Sequence, residues 1–508
     1  MKKNLLLLTL VLTTLLSKAQ TWNQDIAPIF YTHCGKCHHE GGIAPMSLVT
    51  YDEASSETND IEDAIQNDEM PPWPANHNYT NFIGENVLTE EEKQAIFSWI
   101  DNGAPEGSGS APTIPAYNDG YAITSPDEIV TIPDYNVAFN TDEYRTFTIP
   151  STSAQDRYIG GVEFEPDNDD IVHHILAFYD PSNVSQQLDD AAAGPGFPSN
   201  GGSFPSDEAV LIGVWVPGMT ATIFPEDLAI LLPGGSDFVF EVHYAPGSLG
   251  DQADVHMRLQ YKDIPVIREV YHDPLLFHGP PSLMEPLFIP ANTVQTFHEV
   301  SAQTPIDLSF ISVFPHMHLL GQTFKVYGLT AEEDTVRFID VDNYEFHWQF
   351  SYTFPTLKKL PLGSILHGYA TYDNTENNDE NPNSPPEDVG LGEGTEDEMM
   401  VCFFMYTVYQ PGDEEISLVS VKDVLPQEST LLFAYPNPAH DNILIDLPNQ
   451  LRKVDQILII DQSGKTLNAE YDFSYGRLDL NTSDLPAALY EIQIVAGQSK
   501  YHTRFLKQ

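Results

Sequence analysis

The chain has 508 residues, of which 22 are basic and 75 acidic, so its formal net charge is −53. This excess of negative charge would be repelled by nucleic acid and by anionic membranes, and both are excluded as expected partners. The length allows three or four domains, and 11% aromatic residues with 39 prolines and 32 glycines favour β-sandwiches joined by loops.

Residues 1–19 have the composition of a secretory signal peptide. Two lysines precede a short leucine-rich core, and Ser17, Lys18 and Ala19 offer a cleavage site. No later stretch is long enough to cross a bilayer. We therefore expect an exported protein that is secreted or held at the cell surface and has no transmembrane segment.

A motif for covalent haem attachment follows. Cys34, Cys37 and His38 form the run C-x-x-C-H, in which two thioether links hold the porphyrin and the histidine binds the iron. The alternatives are a local disulfide or half of a zinc site. No second cysteine pair is available to complete a zinc site, so the motif predicts one covalent haem c.

A methionine is expected on the other side of the iron. Met46 follows His38 too closely to cross easily to the opposite haem face. Met70 opens a proline-rich loop, MPPWP, which lacks helical hydrogen bonding and is suited to wrapping a haem edge. We therefore predict His38 and Met70 as the axial ligands.

Helical patterns accompany this motif. Thr89 and Glu92 form a capping box at the start of a helix that Gly103 ends. Residues 20–104 thus resemble a small class I cytochrome c. Residues 105–120 are rich in proline, glycine and serine and are predicted to be a linker with little fold of its own.

Three histidines come next, in segments whose alternating pattern predicts β-strands. His173 and His174 are adjacent in DIVHHILAFY, and His243 lies in FVFEVHY. Three imidazoles are a ligand set for a late first-row metal ion. Because neighbours on a regular strand point to opposite faces, joint ligation by His173 and His174 requires a twist, a β-bulge or a strand end.

A second set of candidate ligands lies further along. His316 and His318 are two apart at the end of an apolar run, so both imidazoles can reach one ion. Met399 adds a thioether, which stabilises Cu(I) and is a poor ligand for zinc, magnesium or calcium. Alone it is weaker evidence, because Met400 and Met405 lie close by and a strand methionine usually belongs to the core. The two sets together indicate two redox copper ions.

In order and in sequence context these six residues resemble the copper type II, ascorbate-dependent monooxygenases, the family of peptidylglycine hydroxylating monooxygenase and dopamine β-hydroxylase. There, an HH pair and a later HY histidine bind the electron-entry copper, and an HxH pair with a methionine in a DEM segment binds the copper that activates oxygen. The resemblance covers roughly residues 120–420 and selects Met399 over its neighbours. It implies two jelly-roll-like β-sandwiches, over residues 121–265 and 266–420.

The resemblance also implies hydroxylation of a C–H bond of a small organic substrate with O2. It assigns the electron-entry copper to the three-histidine set and the oxygen-activating copper to the second set, and it adds no catalytic residue beyond these ligands. The haem is expected to relay electrons from an external donor, in place of or in addition to ascorbate. Two alternatives stay open: a non-catalytic copper and haem electron-transfer protein, and a zinc hydrolase, which Met399 disfavours.

Two positions depart from the amidating members of that family, which hold a substrate carboxylate with an arginine before the HxH pair and a tyrosine after the methionine. Here those positions are Phe314 and Phe403, so an aromatic or apolar molecule is a better expected substrate than a peptide C-terminal glycine. Animal members are rich in disulfides. Cys402 has no cysteine partner, so packing alone must hold these sandwiches.

An acidic run leads from Asp373 to Glu398. Its carboxylate and amide oxygens could hold calcium, but their spacing matches no calcium loop. A solvated loop is the preferred interpretation.

The character of the chain changes near residue 430. A YPNP start, a later alternating LYEIQIV strand and a basic end resemble the C-terminal sorting domain of the type IX secretion system, a small β-sandwich that the secretion machinery reads. An ordinary carbohydrate-binding or Ig-like module is the alternative for residues 430–508. The whole chain is thus predicted to be a multidomain, mainly β protein with one small helical domain.

Overall fold

The computed structural model describes most of the chain from residue 20 onward, and the predicted signal peptide lies outside the described residues. The described residues are 20–115, 117, 121–141, 143–168, 171–199, 205–217, 219, 221–225, 227–245, 247–263, 267–279, 282, 284–346, 348–392, 394–418, 429–432, 434–447, 454, 456–460, 466–467, 471–474, 477–483, 485–496 and 499–508.

The chain divides into two compact units. The first comprises the chain up to Pro72 together with Asn86–Tyr117, and the second comprises Trp73–Glu85 and everything from Asn118 onward. The predicted haem region therefore falls in the first unit except for Trp73–Glu85. The first unit also takes in much of the predicted linker.

The first unit is helical and is built around a cluster of buried aromatic rings that meet edge to face or tilted. Its elements are a π-helical turn Trp22–Ile26 and the helices α1 Ala27–His33, α2 Tyr51–Ser56, α3 Thr58–Gln66 and α4 Glu90–Asp101. Trp22, Phe30 and Trp99 are fully buried, and the Trp22 ring centroid lies 5.2 Å from that of Phe30 and 5.8 Å from that of Trp99. This core forms because apolar residues recur at helical spacing before the C-x-x-C-H run and along α4.

Helix α4 begins and ends as the sequence predicts. The backbone N–H of Glu92 donates to the Thr89 hydroxyl at 3.2 Å, and the backbone N–H of Thr89 donates to the Glu92 carboxylate at 2.9 Å. Both donors would otherwise be unsatisfied at the helix start. Gly103 adopts a φ of 80° just after the helix, a conformation that glycine takes without strain.

The predicted linker has no helix or strand over its described residues, but it packs back on the first unit. The Tyr31 hydroxyl donates to the Pro112 carbonyl at 3.4 Å, and the Tyr117 hydroxyl donates to the Tyr31 carbonyl at 3.3 Å. The Tyr117 ring stacks on His39 with centroids 4.7 Å apart. Aromatic residues at its end thus fix a segment whose composition indicates flexibility.

The first part of the second unit is a pair of sheets with a common core. Its strands are β1 Glu128–Thr131, β2 Glu143–Pro150, β3 Arg157–Pro166, β4 Val172–Asp180, β5 Phe197–Pro198, β6 Val210–Trp215, β7 Thr222–Ile223, β8 Leu228–Leu232, β9 Asp237–Tyr244, β10 Val255–Tyr261 and β11 Arg268–Glu269, with helix α5 Val184–Ala191 between β4 and β5. One sheet has the order β1-β10-β3-β8-β11, with β7 beside β3, and the other has the order β5-β2-β9-β4-β6. We call this pair of sheets the first sandwich.

Residues 271–415 form a second pair of sheets, the second sandwich. Its elements are β12 Tyr271–Phe277, β13 Phe288–Ile289, β14 Thr293–Val300, β15 Leu308–His316, β16 Gly321–Leu329, β17 Thr335–Val341, β18 Tyr352–Leu360, β19 Ile365–Asn374, β20 Val389–Gly390, β21 Val401–Val408 and a 3-10 turn Asp413–Glu415. The sheets have the orders β12-β21-β15-β18 and β14-β19-β16-β17, and β13 pairs with β20. Phe310, Phe338 and Phe404 meet edge to face in the core.

The Trp73–Glu85 segment packs on the second sandwich. Ala75 forms an isolated bridge to Val341, and the backbone N–H of Ile83 donates to the Thr353 carbonyl at 2.9 Å. The Phe82 ring lies 5.0 Å from that of Tyr352. Apolar contact and backbone pairing together attach this segment.

The two sandwiches share buried surface. Ile311, Leu357 and Met405 of the second sandwich belong to the apolar core of the first. Arg268 and Asp413 form a buried ion pair across the same junction, with Nη2 and Oδ2 2.7 Å apart. The side chains at the interface between the two sandwiches are therefore packed as in a protein core.

The chain ends in a smaller pair of sheets. Its strands are β22 Ser429–Leu431, β23 Ala434–Tyr435, β24 Asn442–Asp446, β25 Gln456–Ile460, β26 Thr466–Leu467, β27 Tyr471–Ser474, β28 Arg477–Asn481, β29 Leu489–Ala496 and β30 Ser499–Leu506. They are ordered β22-β30-β29-β25-β26 and β23-β24-β28-β27 around a core that includes Ile443, Leu480, Ile492 and Phe505. Across the described part of the chain, no helix has the length and apolar character needed to span a membrane.

Candidate metal centres

The three-histidine set lies on two neighbouring strands of the first sandwich. His174 on β4 pairs directly with His243 on β9, and the register of the two strands shifts between Val172 and His174. His173 is therefore the extra residue of a β-bulge, which lets two adjacent histidines point toward one place. The sequence required such an irregularity, and the structure has one at this position.

The Nδ1 atoms of these histidines face one another. The Nδ1 of His174 lies 3.2 Å from that of His173 and 3.4 Å from that of His243, and ligand atoms of all three lie within 4.8 Å of one another. Imidazole nitrogens about 2.0–2.1 Å from a tetrahedral metal ion would stand about 3.3 Å apart. The two Nδ1–Nδ1 distances to His174 thus fit a single shared ion.

Burial keeps His174 neutral. Desolvation lowers the pKa of His174 well below its usual value, and the neighbouring His243 and His173 lower it further. Neutral imidazoles offer the lone pairs that a metal ion needs. Tyr144 of β2 stacks on His243 with centroids 4.1 Å apart, and its hydroxyl is 3.0 Å from that of Thr395 in the second sandwich.

Hydrogen bonds orient the two histidines of the second set. The Nδ1 of His316 bonds to the side-chain oxygen of Gln349, whose amide nitrogen donates to the Phe346 carbonyl at 2.8 Å. The Nδ1 of His318 lies 3.0 Å from the Asp397 carbonyl. Because these oxygens only accept, both Nδ1 atoms carry the proton, which leaves both Nε2 atoms for a ligand.

The turn that carries His318 is held by a buried carboxylate. Glu398 accepts the backbone N–H groups of His318 at 2.9 Å, Leu320 at 2.7 Å and Met399 at 3.1 Å. Burial raises the pKa of Glu398 to about 8, although these three donors lower it. Burial lowers the pKa of His316 to about 3 and that of His318 to about 4, so both are neutral.

Residues of both sets line one cavity of about 290 Å³ between the two sandwiches: His173 and His174 of the first set, with His243 next to them, and all three residues of the second. Met399 lines the same cavity, and its backbone carbonyl accepts the Tyr372 hydroxyl at 2.7 Å. The Phe346 ring lies between the sets, with its centroid 5.8 Å from that of His173 and 6.1 Å from that of His318. The structure thus brings together all the residues that the sequence predicts as copper ligands.

Three residues of this arrangement were not singled out from the sequence: Tyr144, Phe346 and Gln349. The last two fall in or beside the aromatic-rich run HWQF at residues 347–350, which was the available signal. Tyr144 has no such signal, because His243 and Thr395, which it contacts, are distant from it in sequence.

The haem motif lies at the end of α1 in the first unit. Cys34 and Cys37 are both free thiols, and the backbone N–H of His38 donates to the Cys34 carbonyl at 2.9 Å. Burial, with a smaller effect of the neighbouring Cys37, raises the pKa of Cys34 to about 12. Two thiols on one turn beside a histidine fit covalent haem attachment.

The surroundings of His38 bear on the axial ligands. Its Nδ1 lies 3.0 Å from the Met46 carbonyl, so Nδ1 carries the proton and Nε2 is left for iron. Met46 therefore stands beside His38 rather than across from it. Met70 follows α3, and its backbone N–H donates to the Ala64 carbonyl at 3.2 Å.

Comparison with solved structures gives only weak likenesses. PNGase F, a glycosylasparaginase from Flavobacterium meningosepticum, is 11% identical over 56% of this chain and 97% of its own, with a TM-score of 0.25. The VP2 subviral particle of infectious bursal disease virus is 9% identical over 57% of this chain and 74% of its own, with a TM-score of 0.17. Scores this low support no inference about this chain.

The end of the chain gives a clear match. Curated proteins yield no match to the sequence, but residues 434–508 match the family model described as a secretion system C-terminal sorting domain. The prediction for this region is confirmed, and it indicates export to the cell surface or the medium by way of the secretion machinery. Residues 434–508 therefore belong to the type IX secretion sorting domain family.

Proposed function

We propose that the chain is a secreted copper-dependent monooxygenase that hydroxylates a C–H bond of a small organic substrate with O2. The observation that most supports this is the shared cavity, which His173 and His174 of the three-histidine set line from one sandwich and two histidines with a methionine line from the other. Copper bound there would supply one-electron redox chemistry, and a covalent haem would carry electrons one at a time.

The chain's own residues have separate tasks in this proposal. His173, His174 and His243 would hold one copper ion through Nδ1, because those atoms face one another. His316 and His318 would hold the other through Nε2 together with the Met399 sulfur, because their Nδ1 protons are already engaged. Only the second set combines nitrogen ligands with a sulfur ligand.

Other residues fix protons and exclude water. Gln349 and the Asp397 carbonyl each hold a proton on an Nδ1 atom, which sets the tautomer of the histidine they contact. Phe346 fills the space between the two sets with an apolar ring. An apolar surface of this kind would exclude water from the reacting atoms and strengthen electrostatic interactions there.

The alternatives predict different behaviour. A non-catalytic electron-transfer protein has no need of a cavity between its metal sites, and a zinc hydrolase has no use for the Met399 sulfur. We expect two copper ions and one haem iron per chain, and O2 uptake that requires copper, a reductant and an organic substrate. Copper without any O2 uptake would favour electron transfer, whereas activity after replacement by zinc would favour hydrolysis.

The haem assignment has its own test. Met70→Ala should lower the haem reduction potential and remove the sulfur-to-iron absorption band, because loss of a thioether stabilises ferric iron. Met46→Ala is the matched control and should leave both unchanged. The reverse pattern would make Met46 the axial ligand.

Electron supply by the haem is tested separately. Replacing Cys34 and Cys37 together by alanine should make O2 uptake depend on an added small reductant. Haem that stays reduced through many turnovers of the unaltered protein would exclude the relay.

A further inference from the structure

His272 on β12 belongs to neither histidine set, yet its ring is buried in the second sandwich. Neither of its ring nitrogens has a hydrogen-bond partner among the described residues. Burial lowers the pKa of His272 to about 4, so the ring is neutral near pH 7 and one nitrogen carries an unused lone pair. Because an unsatisfied buried polar group costs free energy, native proteins usually pair it with protein, water or an ion. The His272 ring therefore points to a bound water or ion.

A methionine sulfur is the nearest soft donor to this ring. His272 on β12 pairs with Met405 on β21. Directly opposed residues of an antiparallel pair share a face of the sheet and have Cβ atoms about 4.5–5.5 Å apart. Met405 is buried and belongs to the apolar core of the first sandwich, so both side chains lie at the interface between the sandwiches. One imidazole nitrogen and one thioether can thus reach a common ion from neighbouring strands.

A buried water fits this position poorly, because it needs about two to four polar partners. The Phe403 ring meets the His272 ring edge to face at 6.2 Å and offers no such partner. The Met405 thioether is only a weak acceptor. Ser312 pairs with Met405 from the far side, on β15, and two strand spacings place it about 10 Å from His272. These neighbours favour an ion over a water.

The ligand types and the absence of a counter-charge select the ion. A thioether favours Cu(I), which accepts few ligands, over Zn(II) and other harder ions. Taking an ion out of water costs more as its charge rises, and no charged neighbour contributes to the pKa of His272. A monovalent soft ion therefore suits these two residues better than a divalent one.

The copper ions proposed for the cavity act on this position at a distance. His316 lies four residues along β15 from Ser312, so about 13 Å separates the second set from the row that holds Met405 and His272. Over that distance each additional positive charge should lower the affinity for a cation by roughly tenfold. Binding at His272 is therefore most favourable when the copper in the cavity is reduced.

We propose that His272 and Met405 form a third copper site, which holds Cu(I) and neither Cu(II) nor Zn(II). The Phe403 side chain contacts His272 and lines the cavity, so it stands between this site and the two histidine sets. The inference goes beyond the proposed function, because ion binding by His272 and Met405 requires no hydroxylation. Such a site would take up copper in the reduced protein and release it on oxidation.

The test counts copper in the full-length haem protein. Protein saturated with copper is desalted once in air and once under argon with ascorbate, and the metal content is measured by mass spectrometry. The reduced protein should retain one copper ion per chain more than the oxidised protein does. Protein saturated with zinc should show no gain of this kind on reduction, because the ligand set disfavours zinc.

Variants locate the additional ion. His272→Leu and Met405→Leu should each abolish it. Both should fold, because the first removes an unpaired polar group and the second nearly conserves volume. Met257→Leu is the matched control and should keep the ion, because Met257 is buried in the first sandwich with Val130 and Phe164 as its cross-strand partners. Circular dichroism checks that each variant is folded, and one folded leucine variant at His272 or Met405 is sufficient.

Several outcomes would overturn the inference. They are equal copper content in the reduced and oxidised protein, an additional copper ion that persists in a folded His272→Leu or Met405→Leu protein, or an equal gain of zinc. Loss of the additional ion in Met399→Ala alone would assign it to the second set instead. An additional Cu(I) ion in a protein that shows no O2 uptake would leave this site standing and defeat only the proposed function.

Discussion

The two histidine sets reach the same cavity by different means. In the first sandwich a β-bulge turns His173 toward His174 and His243, and ligand atoms of the three histidines lie within 4.8 Å of one another. In the second sandwich His316 ends a strand and His318 lies on the turn beyond it, and each is oriented by a hydrogen bond to its Nδ1.

This difference indicates where each site is vulnerable. The first set depends on strand register, because the bulge alone brings adjacent histidines together. The second depends on neighbouring oxygens, because a turn fixes the backbone of His318 but leaves the ring to be oriented by Asp397. The following predictions test this contrast.

Loss of a ligand from the second set should have the largest effect. His316→Ala or Met399→Ala should reduce hydroxylation to background while the haem spectrum stays intact, because the haem motif lies in the other unit. Met399→His should keep copper and lose activity, since a harder ligand shifts the balance between Cu(I) and Cu(II). Product formation, copper content and the visible spectrum check these outcomes.

Met284→Ala is the matched control, because Met284 is 37% exposed and does not line the cavity. Unchanged turnover in His316→Ala or Met399→Ala would remove the oxygen-activating assignment.

The stability of the fold should depend strongly on pH through a buried histidine outside both sets, His272. Neither ring nitrogen of His272 has a hydrogen-bond partner among the described residues, and burial lowers its pKa from 6.5 to about 4. The unfolded chain therefore binds a proton first as the pH falls, so stability is full above pH 6.5 and declines toward pH 4. The resulting loss in the free energy of unfolding amounts to about 3 kcal/mol.

His272→Leu should remove this dependence. Urea unfolding of the second unit should show a stability gain for the variant that grows as the pH falls from 7 to 4. A gain that stays constant across this range would show that His272 keeps an ordinary pKa.

Loss of an orienting oxygen should weaken only the second site. Gln349→Leu should lower its copper affinity by about ten- to a hundredfold, because His316 loses the acceptor that fixes its tautomer. Gln349→Glu keeps an acceptor oxygen and should bind copper more tightly than Gln349→Leu does. Competitive copper titration resolves the two sites, and an equal loss at the three-histidine site would break the contrast drawn above.

The smallest effect is expected where the two sandwiches touch beside the first set. Tyr144→Phe and Thr395→Val each remove the hydroxyl contact between them, at a cost of about 1 kcal/mol. The double variant should lose little more than either single one, because both remove the same bond. Additive losses in denaturant unfolding would show that the two hydroxyls act independently.

The convergence of the candidate ligands was predictable because their order and spacing carry the signal. His316 and His318 are two apart, and the adjacency of His173 and His174 even required the irregularity that the strand has. The sorting domain was likewise recognisable from its start and its position in the chain. Helix α4 followed from local capping, which depends on residues three positions apart.

The remaining features depend on contacts between distant parts of the chain. Tyr144 and Thr395 are separated by 251 positions, and no local pattern connects them. Gln349 is 33 positions from His316 and reaches it only because β15 and the segment before β18 lie side by side. The residues from Ala104 to Gly120 have the composition of a free linker, yet aromatic side chains fix their described end.

The Trp73–Glu85 segment limits where the chain can be cut into fragments for separate expression. A fragment ending at Tyr117 would expose Trp73 and Phe82 to solvent, and a fragment starting at Asn118 would uncover the Tyr352 ring that they pack against. Each fragment would therefore carry an exposed apolar patch and would tend to aggregate when expressed alone. Co-expression of the two fragments, or a cut placed elsewhere, would be needed to obtain either unit in soluble form.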